Sequence, residues 1–188
     1  GVSVYEMCAA YSSFVNNGIY TKPKTYKKVT DAEGKVLLES TTATNVAFSE
    51  NAAYNMRLLL KNVVDFGTGG GAAIPGIDTG GKTGTTDSDH DRWFAGFTPY
   101  YCGVVWFGYD IPSPIWGVSG NPALKMWKSV MDKVHVGLES KTFPKPSGTY
   151  ATSLCAQSGK LATSECESYY EYFTKGTAPK IYCEPETD

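Results

Sequence analysis

A single lysine-threonine-glycine run restricts this chain more tightly than its composition does. Gly80-Gly81-Lys82-Thr83-Gly84-Thr85-Thr86 sets one ammonium group and three hydroxyls on a short segment, with glycines between them. After a polar turn comes Arg92-Trp93-Phe94-Ala95-Gly96-Phe97-Thr98-Pro99. Glycine removes the Cβ that would hold a ligand away from the main chain, so such a segment can take a ligand flat against exposed backbone. That is how a strand reads a peptide.

The same letters satisfy a rival pattern. Gly76-Ile77-Asp78-Thr79-Gly80-Gly81-Lys82-Thr83 matches G-x-x-x-x-G-K-[ST], the phosphate-cradling loop. That loop works only between a buried strand and a helix whose first amides face the phosphates. Here Gly71-Ala72-Ala73-Ile74-Pro75 precedes it, too glycine-rich and proline-broken for a central strand, and a polar turn with no apolar 3.6-residue period follows it. The nucleotide reading fails on both sides.

The remaining reading resembles the penicillin-binding serine transpeptidases, whose signature is S-x-x-K, S-x-N and K-T-G. The resemblance covers most of the chain. Gly1-Val2-Ser3-Val4-Tyr5-Glu6-Met7 and Asn17-Gly18-Ile19-Tyr20-Thr21-Lys22-Pro23 are similar to the helix and exit loop upstream of the K-T-G strand in the large bifunctional (class A) members. Trp93 to Pro99 and Val104 to Asp110 resemble the two strands after it. The resemblance implies a partial serine β-lactamase/D,D-peptidase-like fold of the α+β class, an antiparallel sheet with flanking helices.

It also implies roles. Lys82 and Thr85 are the expected catalytic pair: Lys82 supports proton transfer and attracts a substrate carboxylate, and the N–H of Thr85 completes an oxyanion hole. Thr83, Gly84, Thr85 and Thr86 are the expected substrate-binding residues. The implied partners are peptidoglycan stem peptides, the β-lactams that imitate them, and an upstream part of the same protein. The implied location is the outer face of a bacterial membrane, with the anchor upstream. Neither cofactor nor metal is implied.

One departure is as informative as the match. No serine has a lysine three positions on, so the nucleophile motif is absent from these 188 residues, and the chain by itself is expected to be inactive. S-x-N occurs as Ser49-Glu50-Asn51 and Ser119-Gly120-Asn121, but Ser49 stands where a helix cap is expected and Ser119 lies in a turn. A non-catalytic penicillin-sensing or wall-binding module of the same fold stays open, as does a purely structural module. A net charge of −2 gives no electrostatic case for nucleic acid. No stretch approaches the roughly 18 apolar residues of a membrane span.

Local signals outline the elements. Ser3 and Glu6 form an S-x-x-E capping box ahead of Val4, Met7, Cys8, Tyr11, Phe14 and Val15, with Gly18 as the stop. Lys24 to Thr30 and Lys35 to Leu38 predict a hairpin. Ser49 opens a helix with Met56, Leu59, Leu60, Val63 and Val64 on its apolar face and Arg57, Lys61 and Asn62 on its polar one. Strands are predicted at about Thr79 to Thr86, Arg92 to Thr98 and Tyr101 to Tyr109, with the first at the sheet's working edge. Asn121-Pro122 begins a further helix. From Glu139 the composition turns to proline, glycine, serine and lysine, dividing 1–138 from a tail or small appended module at 139–188.

Five cysteines are unevenly shared. Cys8 and Cys102 read as buried free thiols. Cys155, Cys166 and Cys183 crowd a tail poor in large aliphatics and are disulfide candidates, a crosslink contributing about 2 to 4 kcal/mol. Ten and sixteen intervening residues fit no close-spaced zinc ligand pair, so zinc ranks behind both disulfide and free thiols. Asp87, Asp89, His90 and Asp91 read as a solvated turn, half of Trp93, Phe94, Trp106 and Phe107 as core, and His135 as a helix-terminal residue.

Overall fold

A computed structural model describes residues 1–184. Helix α1 (Val4–Val15) starts as its capping box requires: the Glu6 N–H donates to Ser3 Oγ at 3.2 Å, and the Glu6 carboxylate accepts from the Ser3 N–H at 2.9 Å. It stops at Asn17 (φ 52°) and Gly18 (φ 85°), where a Cβ on Gly18 would come within 2.2 Å of the Phe48 carbonyl oxygen. Only glycine permits that turn. Beyond it lie two small antiparallel ribbons. Strand β1 (Ile19–Thr21) pairs with β4 (Thr44–Val46), and the expected hairpin is β2 (Lys28–Thr30) with β3 (Val36–Glu39).

Helix α2 (Glu50–Asp65) opens on Ser49, whose hydroxyl accepts from the Ala52 N–H at 3.2 Å. Its buried stripe is Ala53, Tyr54, Arg57, Leu60 and Val64, whereas Met56 and Leu59 are exposed. The sequence reading put Arg57 on the polar face, and this is corrected. Arg57 is fully buried. Its guanidinium donates to Val15 O at 3.3 Å, Asn17 Oδ1 at 3.0 Å and Pro144 O at 3.3 Å, and lies over the Tyr54 and Phe143 rings. Desolvation holds its pKa below the usual arginine value. A helical wheel cannot show that three acceptors from distant segments meet there.

The central sheet is antiparallel in the order β5-β6-β7, with β5 (Gly80–Thr85), β6 (Asp91–Phe97) and β7 (Cys102–Gly108). The ends agree with the sequence reading to within a residue or so, because each strand is bounded by strong turn signals. Register places Lys82 opposite Ala95 and Gly84 opposite Trp93 on one face, and Thr83 opposite Phe94 on the other. The first face packs on α1 and α2. The second lies on α3 (Pro122–Val134), whose Trp127 meets Phe94 edge-on with centroids 5.1 Å apart. Glycine makes the fit possible: a Cβ on Gly96 would stand 2.8 Å from the Trp127 ring. Asn121 caps α3 by accepting from the Leu124 N–H at 3.1 Å. His135 ends it, buried, with Nε2 2.9 Å from Thr98 Oγ1 and Nδ1 2.7 Å from Met131 O, and so serves the fold.

Residues just past 139 are sewn into this body. The Asp78 N–H donates to Lys141 O at 2.9 Å, Asp78 Oδ2 accepts from the Phe143 N–H at 2.9 Å, and Phe143 is buried with Tyr54, Leu60 and Phe97. A second hairpin follows, β8 (Thr149–Cys155) with β9 (Ser168–Thr174), which composition alone does not reveal. It meets α2 through Tyr172 against Tyr54, at 6.1 Å, and through Thr149 Oγ1 donating to Asn51 Oδ1 at 3.2 Å. Among the described residues no helix is long and apolar enough to cross a membrane.

Candidate functional site

The K-T-G segment forms β5, an edge strand: β6 covers one side and no strand lies on the other among the described residues. A turn of 3-10 helix (Asp87–Asp89) and the antiparallel β6 follow it, so the phosphate-loop geometry of buried parallel strand and helix is absent here. The register also gives the direction of the amides. The Thr86 N–H donates to Asp91 O at 3.2 Å, continuing the ladder one position beyond Thr85 opposite Arg92. Bonded and non-bonded pairs alternate along antiparallel strands. Thr86, Gly84 and Lys82 therefore turn their main-chain groups to β6, and Thr85 and Thr83 turn theirs to the open edge.

Side chains meet at the same edge. Lys82 is exposed, and its Nζ donates to the outward-facing Thr83 carbonyl at 2.9 Å. Thr83 Oγ1 lies 2.9 Å from Thr68 Oγ1, a neighbour the sequence does not advertise because it sits in a glycine cluster after α2. Thr85 is exposed. Thr86 differs: its hydroxyl accepts from the Asp91 N–H and donates to Asp91 Oδ2, both at 2.9 Å. A hydroxyl so engaged is less available to a ligand than that of Thr85. At Gly84 a Cβ would approach Trp93 Cβ at 3.2 Å, so the local demand for glycine comes from the strand beneath.

A groove of about 430 Å³ runs beside this edge. Lys82, Gly84 and Trp93 form its sheet side, Met7 and Tyr11 of α1 form the other, and Gly1 and Val2 reach its end. Tyr11 has its phenol pKa raised by desolvation and by Cys102. Behind the groove α1 and β7 meet at two half-buried thiols, Cys8 Sγ 3.8 Å from Cys102 O and Cys102 Sγ 3.7 Å from Cys8 O. The Cys102 thiol lowers Cys8 to about 7, and Cys102 is pushed up.

The acidic turn after β5 does more than face water, and that expectation is corrected for two of its members. Asp91 Oδ1 accepts from Trp106 Nε1 at 2.7 Å while its other oxygen holds Thr86. Asp89 pairs with Arg92, which keeps its carboxyl below the usual range, and Arg92 in turn donates to Gly120 O at 2.8 Å. Both S-x-N tripeptides have structural duties, Ser49 and Asn121 as helix caps and Asn121 Nδ2 also donating to Trp93 O at 3.0 Å. Cys155, Cys166 and Cys183, separated in sequence, bring their sulfurs within 4.8 Å of one another as free thiols.

Comparison with known proteins gives this geometry its family. The penicillin binding protein transpeptidase domain matches residues 1–119, and the penicillin-binding protein 1A C-terminal domain matches residues 145–187. The chain belongs to the penicillin-binding transpeptidase family and corresponds to the C-terminal part of that domain. It is 40% identical over 197 residues to penicillin-binding protein 1A of Clostridium tetani, covering all of this chain and 25% of that protein. The Clostridium perfringens counterpart is 36% identical over 196 residues, with 24% of it covered. The chain thus spans about a quarter of the length of these relatives.

Solved structures agree in fold. Penicillin-binding protein 1A from Haemophilus influenzae superposes with a TM-score of 0.84 over 97% of this chain and 33% of that one, at 21% identity. PonA1 from Mycobacterium tuberculosis gives 0.67 over 77% of this chain and 41% of that one, at 30% identity. The mixed helix and antiparallel sheet architecture is that of penicillin-binding transpeptidase domains.

Proposed function

We propose that this chain supplies the K-T-G side of a peptidoglycan D,D-transpeptidase, whose serine nucleophile belongs to polypeptide outside these residues. The reading is supported above all by the outward-facing backbone of Thr83 and Thr85 beside the exposed Lys82, on the edge of a half-walled groove. In the whole protein the serine attacks the carbonyl between two D-alanines, expels the terminal one, and passes the acyl group to an amine of a neighbouring stem peptide. The substrate strand lies along β5. Lys82 orients the terminal carboxylate by a charge-assisted contact and supports proton transfer. Thr83 and Thr85 offer hydroxyls to that carboxylate, which a β-lactam imitates, and the Thr85 N–H faces the developing oxyanion. The reaction takes place outside the cell membrane.

Labelled penicillin tests this directly. The intact protein should be tagged covalently and the isolated 188 residues should not. Lys82→Ala should slow acylation by about 10²-fold or more with little change in melting temperature, because the side chain is exposed. Normal acylation in that variant, or a tag on the isolated chain, sinks the proposal. Acyl transfer to an acceptor amine then separates an enzyme from a sensor of the same fold.

A further inference from the structure

The second site lies in the C-terminal hairpin. Cys155 ends β8, Cys166 sits in the β8–β9 connection, and Cys183 comes from the segment after β9. Backbone bonds fix all three: the Cys155 N–H donates to Lys160 O at 2.8 Å, the Cys166 N–H to Thr163 O at 3.3 Å, and the Cys183 N–H to Leu161 O at 2.8 Å. The sulfurs lie within 4.8 Å of one another and line a cavity of about 260 Å³ together with Glu165, Glu167 and Glu184.

We propose that Cys155, Cys166 and Cys183 form a three-thiolate site for a zinc-type, tetrahedral divalent cation, with water or a neighbouring carboxylate in the fourth position. Zinc–sulfur bonds of about 2.3 Å in a tetrahedron put sulfurs about 3.8 Å apart, so the site needs to contract by only about 1 Å. A disulfide, with sulfurs about 2.05 Å apart, would use two of the three and leave the third beside them. The chain also aims donors at one of the sulfurs. The Thr163 N–H lies 3.5 Å and its hydroxyl 3.3 Å from Cys166 Sγ. Such outer contacts hold thiolate ligands in place.

Binding releases the proton of each coordinating thiol and ties the turn end of the hairpin to the segment beyond β9. The sequence spacing hid this arrangement, because the usual close-spaced ligand pairs come from single turns, whereas here three separate segments each contribute one sulfur.

The intact protein, purified with a non-thiol reductant and without chelator, should retain about one zinc per chain after gel filtration. Cobalt in its place should give the near-ultraviolet charge-transfer band of thiolate coordination. Cys155→Ser, Cys166→Ser and Cys183→Ser should each lose the bound metal, and Cys166→His, which restores a nitrogen ligand, should keep it with a weaker cobalt band. Cys8→Ser should change nothing. Penicillin labelling is read in parallel on every variant, so failure here is distinguishable from failure of the transpeptidase reading. The site is refuted by three freely alkylated thiols with no retained metal, or by a disulfide mass between any two of them.

Discussion

The sheet with its helices and the β8–β9 hairpin are held together differently. In the body, Phe94 and Phe97 are fully buried on opposite faces of β6, one under Trp127 of α3 and the other against Phe143 and the α2 residues. Two apolar layers on one sheet make it cooperative, because a change on either side is felt through the strands. In the hairpin strands the buried apolar residues are only Leu154 and Cys155, and Tyr169 and Tyr170 stand exposed. A two-stranded ribbon with so little buried surface is marginal in water. It relies on docking against α2 and, on the present proposal, on its sulfur cluster. Burial sets the rigidity of the K-T-G edge, and docking together with the proposed metal site sets that of the hairpin.

The largest effect should come from moving the cut between the two. Ending the chain after Glu139 removes Phe143 and the Pro144 carbonyl that receives Arg57, and should cost about 3 to 5 kcal/mol with loss of penicillin labelling in the intact protein. Ending it after Ser147 keeps both, and should leave labelling in place. Equal denaturation midpoints for the two truncations would abolish the distinction drawn here.

Arg57→Ala comes next, at about 2 to 4 kcal/mol, because it strands three part-buried acceptors and opens the space between Tyr54 and Phe143. Urea denaturation measures it. A loss below about 1 kcal/mol would reduce that residue to a surface cation.

The smallest effect is titratable. Glu6 has its pKa lowered by hydrogen bonds from the Ser3 N–H and hydroxyl. A depressed carboxyl stabilises the fold above its unfolded value of about 4.3 and loses that contribution as pH falls through the lower folded value. Glu6→Gln should therefore melt earlier than the parent at pH 6, with the gap closing below about pH 4. A gap independent of pH would refute the capping account.

These features differed in how far the sequence exposed them. The α1 box, the Ser49 cap and the three central strands were legible because their determinants sit within a few residues of one another. The edge position of Lys82 was legible through the flanking glycines and the strand pattern after it. Arg57 was not, because its partners Val15, Asn17 and Pro144 arrive from both ends of the chain. Asp91 looked like one more charge in a turn until Trp106, from the next strand, donated to it. The thiol cluster and the β8–β9 pairing were hidden for the same reason: they depend on registers between distant segments.

The free side of β5 has one more consequence. A bare strand margin invites any extended chain, including the same strand of a second molecule. Lys82 puts a positive charge on that margin, and two copies meeting edge to edge would bring their ammonium groups together. The side chain proposed to welcome an anionic peptide terminus thus also repels self-stacking, so neutralising it should favour fibrillar or oligomeric association even where the fold survives.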